Sequence, residues 1–185
     1  MLSRATRTAP ENADAVGLVV ALLVRFPEIA TIASHPGTGS IVLSFVVRGR
    51  LDRRERDSLR EAISEHVRAL LEMGGEQAGA PSVSCEAEGG MTFVRIARDA
   101  RTFSREELAM MTAFFSDRFG DALIKSPLQD ESADEDPIAV EELVESAIEV
   151  LRDPSRQKSL VGFREEKRVL VYFLKPRKKA KAAVR

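Results

Sequence analysis

The period of the apolar positions changes several times along this chain, and each change predicts a new element. Residues 13–26 are apolar nearly all round (Ala15, Val16, Leu18, Val19, Val20, Leu22, Leu23, Phe26). That is the pattern of a helix covered on several sides. Pro27 closes it, because the residue before a proline is pushed out of helical geometry. Residues 29–34 and 40–48 then flank His35-Pro36-Gly37-Thr38-Gly39. Two β-branched runs around a Pro/Gly turn predict a hairpin.

A second unit follows in the same order. Asp52 and Glu55 have capping-box spacing, and Leu59, Ile63, Val67 and Leu70 recur on one helical face up to Gly74-Gly75. Residues 82–88 and 91–98 predict a hairpin turning at Gly89-Gly90. A helix then starts at Ser104, with Glu107 placed to complete a capping box and Phe103 placed to staple onto Leu108. Leu108, Met111 and Phe115 continue its face to Gly120.

A third unit lies beyond residues 126–136, which read as a solvated acidic linker. Asp136 caps a helix with Pro137 in its first turn, and Val140, Leu143, Val144, Ala147, Ile148 and Leu151 form its stripe. Asp153-Pro154 ends it, and residues 160–163 and 168–174 predict a last hairpin around residues 165–167. The fold class expected is α+β: three helix-plus-β-hairpin units forming a mainly antiparallel sheet, with helices packed on one face.

The first and third units look alike. Each reads helix, Arg-x-Pro (Arg25 to Pro27, Arg152 to Pro154), strand, turn and apolar strand, at an offset of 127 to 128 residues. The expected organisation is a loose N-terminus (1–10), a main body (11–126), the linker (127–136), a helix–hairpin unit (137–174) and a basic, disordered tail (175–185). A unit under roughly 40 residues holds too thin a core to fold alone. It is therefore expected to dock on the body or, in a domain swap, on a second chain.

Composition narrows the functional classes. The 185 residues carry a net charge of −1, so the overall field draws neither nucleic acid nor an anionic membrane. The distribution is uneven: residues 130–149 hold nine acidic and no basic groups, and residues 175–185 hold six basic and no acidic ones. Cys85 is the only cysteine. That excludes an internal disulfide and a multi-cysteine metal site, and it fits a reducing cytoplasm. The apolar run 15–24 follows Arg4 and Arg7 as a signal peptide would, but Glu11 and Asp14 interrupt the basic region. The run is also well short of the roughly 20 residues needed to cross a bilayer, so a buried helix and no membrane contact are expected.

Candidate chemistry is sparse. No His-Glu-x-x-His, Cys-x-x-Cys or Gly-x-Ser-x-Gly occurs. His35 falls in a turn, and His66 falls at the edge of an apolar face, as a partly buried structural histidine would. Gly37-Thr38-Gly39-Ser40 precedes a strand, where a phosphate loop would need a helix N-terminus. Cys85 has Glu86 and Glu88 nearby, the wrong field for a thiolate. No catalytic, metal or cofactor-binding residue is assigned, and no cofactor is expected. The basic residues Arg48, Arg50, Arg53, Arg54, Arg56 and Arg60, with Lys175, Arg177, Lys178, Lys179 and Lys181, are candidates for nucleic-acid or anion contact. Three functional readings follow: a non-enzymatic binding or adaptor module for a protein partner or for itself, a nucleic-acid- or ribosome-associated factor, and an enzyme whose site is assembled only in the fold. The first leads.

Overall fold

The computed structural model describes residues 10–77, 79–125, 137–153, 155, 158–165 and 168–174. Residues 1–9 of the expected loose N-terminus (1–10), the linker 127–136 and the tail 175–185 lie outside the described residues, whereas Pro10 already begins the first helix. Four helices, α1 (Pro10–Arg25), α2 (Arg53–Met73), α3 (Arg105–Phe119) and α4 (Pro137–Arg152), accompany six strands. The strands are β1 (Thr31–His35), β2 (Ser40–Arg48), β3 (Ser82–Glu88), β4 (Met91–Asp99), β5 (Ser159–Glu165) and β6 (Arg168–Leu174). They form one antiparallel sheet in the order β3-β4-β2-β1-β5-β6. The helices pack on one face, as the α+β pattern predicts.

Local chemistry explains most element ends. The Asp52 carboxylate accepts the Glu55 N–H at 2.8 Å, and Glu55 accepts the Asp52 N–H at 2.6 Å, so this capping box closes. At the other end of α2, Gly75 takes φ +69° and the Glu76 N–H reaches back to the Leu71 carbonyl. This is a Schellman cap, which needs a residue that tolerates left-handed geometry. Gly89 and Gly90 both have positive φ, as a two-residue hairpin turn demands.

Alternation sorts the sheet into two faces. Ile32, Ile41, Leu43, Phe45, Val47, Val94, Ile96 and Leu160 turn to the helices and are buried. Phe45 stacks on Phe115 of α3 with ring centroids 3.9 Å apart. From one edge of the sheet to the other the covering helices run α2, α3, α4, α1. Arg60 of α2 reaches the Val83 carbonyl of β3, Ser34 of β1 donates to the Leu151 carbonyl of α4, and α1 lies over β5 and β6 beside α4.

Four expectations need correction. Leu71, not Leu70, completes the buried face of α2, because the stripe follows the helical turn rather than a strict four-residue step. Leu143 is 45% exposed, since α4 turns Val144, Ala147, Ile148 and Leu151 inward. The α3 cap is only half a capping box: Ser104 accepts the Glu107 N–H, but the Glu107 carboxylate is drawn into the core. Helix α1 is not covered all round. Ala15, Val19, Leu22 and Leu23 are buried, whereas Val24 is 42% exposed.

Candidate interaction surface

The last unit joins the body within the same chain. Strand β5 pairs with β1, and the register Ile32↔Gly162, Ala33↔Val161, Ser34↔Leu160 centres on Ala33 and Val161. Offset by 128, Ile32 corresponds to Leu160 and Ser34 to Gly162, so these pairs exchange as a two-fold relation requires. The second strands do not keep that offset, since Ile32 pairs with Leu43 while Leu160 pairs with Phe173. Two further features, which no motif announced, lock the joint. The Arg164 guanidinium donates to the carbonyls of Phe26 (3.1 Å), Pro27 (2.9 Å) and Ile29 (3.0 Å), clamping the turn after α1. Burial lowers its pKa, and Glu28 works in the opposite direction. Gly162 lies under α1 so closely that an added Cβ would stand 2.5 Å from Val19 Cγ1.

At the other end of the sheet, Arg98 and Glu107 form an ion pair with both side chains fully buried. Arg98 also reaches the Thr102 hydroxyl and the Gly79 carbonyl. Pairing plus extra acceptors is what a buried charge requires. The group is a structural brace between β4, α3 and the loop after α2. Sequence reading missed it because Arg98 and Glu107 each had a simpler local role, in a strand and in a cap.

A cavity of about 260 Å³ opens at the seam between body and last unit, lined by His35, Ser40, Asp99, Arg101, Arg152 and Asp153 among others. Several of its polar groups are engaged, some in local turns and some across the seam. Asp99 accepts the Arg101 N–H at 2.9 Å, Arg152 donates to the Arg101 carbonyl at 2.7 Å, and Asp153 accepts the Ser155 N–H at 2.8 Å. The Ser34 hydroxyl is directed to the Leu151 carbonyl. No base–nucleophile pair is in place at this cavity among the described residues, and no cluster of three or more His, Cys, Asp or Glu could hold a metal ion there.

The remaining singled-out residues fall apart from one another. His66 is exposed rather than partly buried. Its Nδ1 lies 2.7 Å from the Ala62 carbonyl, and its ring packs against Phe114. Cys85 sits half-buried beneath α2, where burial raises the thiol pKa against the lowering pull of Arg60 and Arg56. Arg48, Arg50, Arg53 and Arg54 are exposed around the N-terminus of α2. Arg60 is tied to Asp57 at 2.8 Å, and Arg56 donates to the Asp52 carbonyl.

Some large apolar side chains remain exposed. Among the described residues, the exposed large hydrophobic side chains are Val24, Met73, Ile138, Leu143, Tyr172 and Leu174. All but Met73 lie on α1, α4 and β6. On the helix-free face of the sheet Phe163 and Tyr172 stack with ring centroids 5.7 Å apart. Also among the described residues, no helix is long and apolar enough to cross a membrane. Comparison with known proteins found no matching family model, no matching curated protein and no matching solved structure.

Proposed function

We propose that this chain is a cytoplasmic, non-enzymatic binding or adaptor module that engages a protein partner or a second copy of itself through the β6 end of its sheet. One observation carries the reading: β6, which has one strand neighbour among the described residues, exposes Tyr172 and Leu174, and an apolar edge strand is a ready template for pairing with another chain. A photo-activated cross-linker at Tyr172 is expected to capture an adduct, and the same group at Met73 is not. The adduct should disappear on adding Val24→Glu. Equal capture from both positions, or none from either, would overturn the reading.

A second reading rests on a different observation. Arg48, Arg50, Arg53 and Arg54 are exposed together at the positive end of the α2 dipole. A nucleic-acid- or ribosome-associated role would use them with Lys175, Arg177, Lys178, Lys179 and Lys181. It predicts binding to RNA or DNA that weakens steeply with salt and falls on replacing Arg50, Arg53 and Arg54 by Gln. Binding insensitive to both would end it.

A further inference from the structure

We infer that the occupant of the β6 end is a second copy of this chain, joined by antiparallel β6–β6 pairing about a two-fold axis. This inference rests on the binding-module reading and names its partner.

The two edges of the sheet differ in chemistry. Among the described residues strand β6 has one neighbour, β5, which leaves its outer row of N–H and C=O groups without a strand partner there. Its sequence, Arg-Val-Leu-Val-Tyr-Phe-Leu, has no charge after the first residue. Edge strands that are meant to stay single carry charges, prolines or covers, and β6 carries none from Val169 to Leu174. Above it, α1 repeats the same incompleteness. Val19 and Leu23 meet Gly162 on the sheet, and Ala15, Leu18 and Leu22 complete the packed side. The stripe Val16, Val20, Val24, four residues apart, is left outside the core, with Val24 exposed and the other two half-buried. Both layers of the fold therefore end in apolar material at the same edge.

A second copy completes both layers together. A two-fold axis perpendicular to the sheet pairs β6 with its copy and keeps all helices on one face. The two α1 helices then meet Val stripe to Val stripe above the new junction. Within the chain, β1 and β5 already join two helix–hairpin units this way, with α1 and α4 side by side above them. Charge agrees with the arrangement. With Val171 on the axis, Arg168 faces Leu174 of the copy rather than a like charge.

The test uses the full chain. Light scattering across a concentration series is expected to give a mass twice the 20.4 kDa of one chain. Val24→Glu with Tyr172→Glu, both at exposed positions, should weaken self-association about a hundredfold or more, because a two-fold contact meets each charge twice. Met73→Glu should leave it unchanged, and the thermal melt of each variant reports that the fold is kept. In a Cys85→Ser background, nitroxides at position 172 should lie within a few strand spacings of each other. Labels at position 88, on the far edge of β3, should lie about 50 Å apart or more, eleven spacings of about 4.8 Å. A monomer at all concentrations, or a dimer indifferent to the glutamates, would overturn the inference. If a monomer still gives a Tyr172-specific adduct with another protein, abolished by Val24→Glu, the self-pairing fails while the binding-module reading survives. If that adduct is missing as well, both fail.

Discussion

The two ends of this sheet are built from similar parts and finished differently. At the β3 end, the outermost strand carries Glu86 and Glu88, Arg60 of α2 occupies its Val83 carbonyl, and Arg95 pairs with Glu86 at 2.8 Å. Behind it, the buried Arg98–Glu107 pair braces strand, helix and loop. At the β6 end, no charge interrupts Val169 to Leu174, and the covering helix leaves a valine stripe unpacked. An edge with charges and a cover has reached its final state in the monomer, whereas an apolar, open one has not. The proposed binding role at β6 rests on that difference.

The comparison breaks first at its braced end. Replacing Arg98 or Glu107 by Ala leaves a buried charge unpaired and should cost about 3–5 kcal/mol, read from urea unfolding. The apolar double replacement Arg98→Met with Glu107→Leu should cost less than either single change. Additive losses would mean that the two residues do not act as a pair.

The joint of the last unit should give next. Gly162→Ala forces a methyl against Val19 and Leu23 and should cost about 1–3 kcal/mol by overpacking. Gly37→Ala, with nothing within 4 Å of the new Cβ, should stay within about 0.5 kcal/mol. Hydrogen exchange in Gly162→Ala should rise in β5 and β6 before it rises in β3 and β4. Uniform acceleration would show that the two ends unfold together.

The smallest effect sharpens the β3 end. Burial raises the Cys85 thiol pKa, so its neutral form is favoured in the folded state. The associated stability is present below the ordinary thiol range and is lost as pH rises through the raised value. Alkylation of the native protein should therefore gain speed at higher pH than alkylation of an unfolded control. Arg60→Met should push that onset higher still, because Arg60 holds the pKa down. An onset equal to that of the control would remove the burial assigned to this edge.

Much of the architecture was legible in advance because its signals are local. Asp52 with Glu55, Gly74-Gly75, Gly89-Gly90 and Pro137 each mark an element end through backbone chemistry within a few residues. The β-branched run Ile41 to Val47 marked a strand but not which of its side chains face the helices. The failures share one cause. Leu143 and Val24 sit in apolar patterns, and periodicity reports which face is apolar, not whether anything covers it. Glu107 had a satisfying local role, and only Arg98, nine positions earlier on a neighbouring strand, drew it away. The Arg164 clamp spans more than 130 residues of sequence and has no local signature.

By itself, then, the sequence determined the α+β class, the three helix–hairpin units and most of their boundaries, since caps, turns and periods act over a few residues. The order β3-β4-β2-β1-β5-β6, the docking of the last hairpin beside the first and the contrast between the two edges were decided only in three dimensions. Those features depend on which apolar faces meet, and a chain read one segment at a time cannot express that choice.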